Sequence, residues 1–180
     1  MVWPAEQPRP LRPVPDTPIR PETPDDAPRI AALVTDAFLS ASHADGTEAA
    51  IIDRLRADGA LLLSLVATDG PGLVGHVAAS PATIAGHPGW AGIGPLAVRA
   101  DRRHQGVGAA LMTATLEALR ARGLAGAVLV GDPAYYARFG FAARSGLTVP
   151  DVPDEYVLAL PFAGPVPAGA ITFHPAFFPA

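Results

Sequence analysis

Leu96-Ala97-Val98-Arg99-Ala100-Asp101-Arg102-Arg103-His104-Gln105-Gly106-Val107-Gly108-Ala109-Ala110-Leu111 decides the fold. An apolar strand ends at Val98, a charged loop follows, and two glycines open a helix. The first-turn N–H groups of a helix have no internal partner, and the helix dipole makes that end positive. An anion placed there is held by backbone donors, and glycine lets it approach without a Cβ in the way. Arg102 and Arg103 are expected to add mobile positive charge. The stretch predicts a site for a pyrophosphate-like group.

Periodicity assigns the elements around it. A short strand is expected near Pro18-Ile19-Arg20. A helix starting around Asp25 follows, with Ile30, Leu33, Val34, Ala37 and Phe38 as its buried stripe. A second helix runs from Thr47 to a stop at Gly59. Strands are expected at 60–67 and 73–79, joined by a turn at 68–72. Segment 80–89, with two prolines and two glycines, reads as irregular chain. A further strand spans about Trp90 to Val98. The helix opened by Gly106 places positions 108, 111, 112, 115, 116 and 119 on one face and stops at Gly123. A strand at 126–131 and a short helix from Asp132 to Arg138 follow, with a last strand at 170–173. The order predicts one α/β domain over 18–180. Nine of the 21 prolines fall in the first 28 residues. Residues 1–17 are therefore expected to form a flexible tail.

Composition excludes much. No cysteine is present, so disulfides, thiol nucleophiles and cysteine zinc sites are absent. All 13 basic residues are arginine; without lysine there is no Walker A loop and no Schiff-base lysine. A formal charge of -4 is no electrostatic reason to expect nucleic acid. The apolar run 60–67 is too short to cross a membrane. With no signal-like segment, a cytoplasmic location is expected. No His, Asp and Glu spacing suggests a metal. A dinucleotide fingerprint fails because Leu111 stands where its third glycine belongs.

What remains is R-x-x-G-x-G: Arg103, Gly106, Gly108. With the strand before it, the helix after it, and Tyr136-Ala137-Arg138-Phe139-Gly140-Phe141 downstream, it resembles motif A and the Y-x-x-x-G-F string of the GNAT superfamily of N-acetyltransferases. The GDPAYYARFGF stretch resembles a bacterial branch of predicted N-acetyltransferases. The resemblance covers roughly residues 18–145.

The resemblance implies a mixed, twisted sheet with helices on both sides. The strands at 90–98 and 126–131 would be parallel and splayed. Acetyl-CoA would be the cosubstrate. Its pantetheine arm would pair with backbone of Leu96, Ala97 and Val98. Its pyrophosphate would lie on the N–H groups of Arg103, His104, Gln105, Gly106, Val107 and Gly108. Tyr136 would be the general acid that protonates the leaving thiolate. Tyr135, one residue away, would be turned about 100° aside on a helix. Many family members carry a glutamate on a central strand; here 90–98 and 126–131 hold no acid. His76, His43, Asp132 or a chain of waters remain as ways to deprotonate the amine. For His76, in Val74-Gly75-His76-Val77-Ala78, alternation gives the face of Val74 and Ala78, and a structural histidine is the plainer reading. Trp90 and His87 would border the amine pocket or simply pack; His174 fits no spacing. The acceptor would be a small-molecule or peptide amine, and a homodimer is left open. A non-catalytic acyl-CoA-binding module is the alternative, and a nucleotide-binding protein using the same anion site is a third.

Overall fold

A computed structural model describes residues 17–39 and 46–178. The proline-rich N-terminus and His43 lie outside the described residues. Strand β1 (Ile19–Pro21) leads through a 3-10 turn into α1 (Ala27–Phe38), and α2 (Glu48–Ala57) follows. Then come β2 (Leu63–Asp69), β3 (Gly72–Ile84), β4 (His87–Val98), α3 (Val107–Ala121) and β5 (Gly126–Val130). The chain continues through α4 (Pro133–Tyr136), β6 (Ala142–Ala143), β7 (Leu147–Thr148), β8 (Val157–Pro161) and β9 (Gly169–Thr172).

The sheet runs β1-β2-β3-β4-β5-β8-β6, and β9 pairs with both β3 and β7. The central pair β4–β5 is parallel, while β4 is antiparallel to β3 and β5 to β8. The α3 side buries Val77, Ala79, Leu111, Met112 and Leu119 among others. The opposite side packs α1 and α2 through Ile30, Val34 and Ile52 onto Val66, Ala78 and Ala97. This is the α/β layering expected from the sequence, with helices on both faces.

Start signals at α1 are built around a carboxylate. Asp26 is 2% exposed. It accepts two hydrogen bonds from the Arg20 guanidinium, at 2.6 and 3.0 Å, and one from the Thr23 N–H at 2.9 Å. These charge-assisted donors hold its pKa well below the usual carboxylate range. They join β1 to the entry of α1.

Two sequence readings need correction. Residues 80–89 are not irregular: β3 continues to Ile84 and β4 begins at His87, making one long hairpin. Its prolines misled because they usually break ladders. Pairing of β2 with β3 ends at Ala79, and pairing of β5 with β4 begins at Trp90. Pro81 and Pro88 therefore each have a free edge on which no donor is needed.

The second correction concerns His76. An extra residue, Val74, sits in β3 between the pairs Ala67↔Gly75 and Thr68↔Leu73. This bulge shifts the alternation by one. Val74 joins the α3-side core, whereas His76 shares the α1 and α2 side with Ala78. The shift also turns Gly75 toward α3. A Cβ there would stand 2.8 Å from Leu111 Cδ1 and 2.9 Å from Val107 Cγ1, so glycine lets the start of α3 lie close on the sheet.

Candidate active site

Parallel pairing of β4 with β5 covers only Trp90↔Gly126, Ala91↔Ala127 and Gly92↔Val128. Beyond Gly92, β4 runs on to Val98 beside β3 alone. The register shows why: Val77 pairs Leu96 and Ala79 pairs Ile93, so Gly94 and Pro95 stand opposite one residue. This bulge bends β4 away from β5. Arg99 N–H donates to the Val74 carbonyl, so by strand alternation the N–H groups of Leu96 and Val98 face the side that β5 has left. That edge presents donors and acceptors to an added extended chain.

Helix α3 starts beside it. Gly106 caps the helix at φ 90°, a left-handed conformation that glycine adopts without strain. The N–H groups of Val107, Gly108 and Ala109 have no intrahelical acceptor. Gly108 belongs to the groove and not to the buried helix face, which runs through Val107, Ala109, Leu111, Met112 and Thr115. An open edge of β4 meeting an unfilled helix start fits a long ligand with a phosphate group at the α3 end.

Charge at the loop is committed differently from the mobile cations expected. Arg102 pairs with Asp69. Arg103 Nη2 donates to the Ala37 carbonyl at 2.6 Å, at the end of α1. Arg99 pairs with Asp101 at 2.6 Å, and the Gln105 amide folds back on the Asp101 carbonyl at 2.8 Å. The basic side chains brace the loop, and the N–H groups of Arg102 and Arg103 donate within it, to the carbonyls of Arg99 and Ala100. His104, at φ 61°, is exposed as expected. Arg103 also helps line a cavity of about 250 Å³ with Ala37, Phe38, Leu96, Ala97 and Val98. It opens on the α1 side of β4.

The two tyrosines of α4 diverge, with rings perpendicular and centroids 4.9 Å apart. Tyr136 lies against Gly131, just past β5, and edge-on to Phe141 at 6.0 Å. Burial pushes its pKa up to about 12, so its hydroxyl stays protonated and can donate. Tyr135 reaches the other way: a Cβ on Gly108 would stand 2.9 Å from its Oη. Motif spacing points to Tyr136 and contains no signal for Tyr135.

His76 is fully buried in a polar network. Arg56 bonds the Glu22 carboxylate through Nε at 2.9 Å and Nη2 at 3.1 Å. The Ser64 hydroxyl donates to Glu22. Having spent its hydrogen, Ser64 accepts from His76 Nε2 at 2.8 Å, which makes His76 the Nε2–H tautomer. Burial lowers its pKa to about 4. Sequence reasoning missed this network because its members lie on three separate elements and on the connection after β1.

Asp132 caps α4, accepting from the Ala134 N–H at 2.9 Å. His174 Nδ1 accepts from the Ala176 N–H at 3.2 Å. Trp90 is 3% exposed and packs over Gly126, at the opposite end of β4 from the groove. His87 is exposed near that same end.

A splayed parallel pair with a glycine-opened helix at its mouth is the architecture of coenzyme A-dependent acyltransferases. Residues 18–144 match the family model described as acetyltransferase (GNAT) domain. The chain is 45% identical over 125 residues to the uncharacterized N-acetyltransferase YhbS of Escherichia coli strain K12, covering 68% of this chain and 72% of that one. A GNAT family acetyltransferase from Brucella melitensis, solved in complex with acetyl-CoA, superposes with a TM-score of 0.81 at 39% identity, covering 89% and 97% of the two chains. Escherichia coli YhbS, solved in complex with CoA, gives 0.81 at 37% identity, covering 89% and 91%. The chain belongs to the GNAT acetyltransferase family.

Proposed function

We propose that this chain is an N-acetyltransferase that moves the acetyl group of acetyl-CoA to a primary amine by direct attack in a ternary complex. The observation that carries the reading is the divergence of β4 from β5 beyond Gly92, with the N–H groups of Leu96 and Val98 turned into the gap. The complexes of the Brucella and Escherichia relatives with acetyl-CoA and CoA support it. Acetyl-CoA supplies the acetyl group as an activated thioester. Backbone of Leu96, Ala97 and Val98 holds the pantetheine arm as an added strand, and the Leu96 N–H is placed to polarise the thioester carbonyl. Backbone N–H groups from His104 through Gly108 cradle the pyrophosphate, with the glycines contributing room, while the Arg103 N–H, expected to join them, is engaged by the Ala100 carbonyl at 3.4 Å. The Tyr136 hydroxyl protonates the departing thiolate.

Neither β4 nor β5 carries a carboxylate, and His76 is buried and engaged. Positioning of a neutral amine against the thioester therefore supplies much of the rate. The missing carboxylate also favours a second reading, an acyl-CoA-binding module without turnover. One experiment separates the two. Acetyl-CoA is incubated with the protein and a panel of amines, and released thiol is measured. Turnover with any amine supports the transferase. Stabilisation by acetyl-CoA with no turnover supports the binding module, and stronger stabilisation by NAD or ATP defeats both.

A further inference from the structure

We infer that Tyr135 is a cofactor-binding residue whose hydroxyl donates a hydrogen bond to the phosphate–pantetheine end of the ligand in the β4–α3 groove. The inference rests on the reading that this groove takes acetyl-CoA.

Three observations place the hydroxyl there. A Cβ added at Gly108 would meet Tyr135 Oη at 2.9 Å, Val98 Cγ2 at 3.4 Å and Leu96 Cδ2 at 4.0 Å. The hydroxyl thus stands over the first turn of α3, at a glycine that the Val98 and Leu96 side chains also border. The ring is held in that direction. Its centroid lies 4.6 Å from the Arg138 guanidinium carbon and 5.7 Å from the Phe139 ring centroid, with the Tyr136 ring edge-on. Arg138 Nε also donates to the Tyr135 carbonyl at 2.8 Å. Little rotamer freedom is left to lose when the hydroxyl bonds a ligand. Finally, the hydroxyl has no hydrogen-bond partner among the described residues, although the ring is half-buried.

The chemistry of the groove wants such a donor. Arg102 is committed to Asp69 and Arg103 to the Ala37 carbonyl, and the chain has no lysine. Their braced positions turn both side chains away from Gly108, and the guanidinium nearest the Tyr135 ring, that of Arg138, is stacked on the ring itself. Tyr135 supplies a neutral donor above Gly108, facing the backbone donors of the helix start. Acting with them, it closes the ligand's phosphate end from the α4 side. Tyr136 is directed instead to the end of β5, so the two adjacent tyrosines divide binding from chemistry.

Calorimetry with CoA and 3′-dephospho-CoA, together with steady-state kinetics on an accepted amine, tests this in Tyr135→Phe and Tyr136→Phe. Tyr135→Phe is expected to weaken both ligands by the same factor, about tenfold for a bond to a charged group. KM for acetyl-CoA should rise in step while kcat and Tm hold. Tyr136→Phe is expected to show the reverse split. An unchanged CoA Kd in Tyr135→Phe overturns the inference. So does a fall in its kcat with Kd intact, which would make Tyr135 the acid. A loss confined to CoA and absent with 3′-dephospho-CoA would put the contact at the ribose phosphate and overturn the stated position. Failure of the wild-type protein to bind CoA would instead overturn the functional reading beneath.

Discussion

Gly108→Ala probes the groove with one atom. The added Cβ would stand 2.9 Å from Tyr135 Oη, closer than carbon and oxygen tolerate. Oη is the far end of a side chain, so the tyrosine swings aside and the helix stays. The displaced ring loses its stacking under Arg138, about 0.5–1 kcal/mol. It also loses edge contacts with Tyr136 and Phe139, about 0.5–1.5 kcal/mol. Alanine in place of glycine returns up to about 1 kcal/mol of helix propensity. With the full propensity gain the net is a loss of about 0–1.5 kcal/mol, a Tm drop of roughly 6 °C at most for a domain of this size. CoA affinity, by contrast, should fall about tenfold, because the hydroxyl donor leaves the groove and a methyl group enters it. Thermal melting and titration calorimetry on the same preparation read the two effects. Gly108→Val should be worse on both counts, since its branches add bulk where Val98 Cγ2 already stands 3.4 Å from the added Cβ. A Tm loss above 10 °C in Gly108→Ala would show that Gly108 is a packing position. An unchanged Kd would show that the ligand does not pass this turn.

Tyr136→Phe should lower kcat by roughly 10²–10⁴-fold, the usual loss for a general acid, with the amine KM little moved; near wild-type turnover would remove Tyr136 from the chemistry. With the Tyr136 hydroxyl protonated up to about pH 12 and no carboxylate on β4 or β5, kcat/KM should climb with pH toward the pKa of the amine itself. A break between pH 6 and 8 that is the same for amines of different basicity would point to an ionising group of the enzyme. His76, held neutral down to about pH 4 when folded, meets an unfolded pKa near 6.5. Below that value the unfolded chain takes up a proton that the fold refuses, so stability is full above pH 6.5 and falls as pH drops toward 4, by about 2 kcal/mol at pH 5. Melting curves of His76→Gln should be flatter over that window, and an unaltered slope would assign the acid sensitivity elsewhere.

The glycine-opened start of α3 was legible because its physics is local. A strand, two glycines and a helix at consecutive positions need no tertiary information to read as an anion site. The long hairpin was not legible. Pro81 and Pro88 look like breakers until the end of β2 and the start of β5 pairing are known. For a similar reason His76 shares its face with Ala78 but not with Val74: one extra residue at Val74 inverts the alternation before it, and Gly75 is the one local mark of such a bulge. Arg103 shows a third kind of limit. Its charge suits a phosphate, but the carbonyl of Ala37, 66 residues away in sequence, claims the side chain. Tyr135 and Tyr136 differ only in a rotation about a short helix. Only the position of Gly108 shows which hydroxyl faces α3.

The bulge at Gly94 and Pro95 ties these observations together. Before it, β4 pairs with β3 on one side and β5 on the other, and its backbone groups are consumed. After it, β4 keeps β3 alone, and alternate residues present their N–H groups to an open gap. Gly94 takes φ 144°, a conformation that side chains disfavour. Pro95 brings no N–H that the distorted pairing would have to satisfy. The bend thus creates a free edge with one donor fewer to match at the bend itself. Its direction also sets the approach to the site. Helix α3 covers one face of the gap, which leaves the other as the approach for the proposed acceptor. There Ala37 and Phe38 at the end of α1 meet Ala97 around an open cavity, and Arg103 ties that wall to the loop that opens α3.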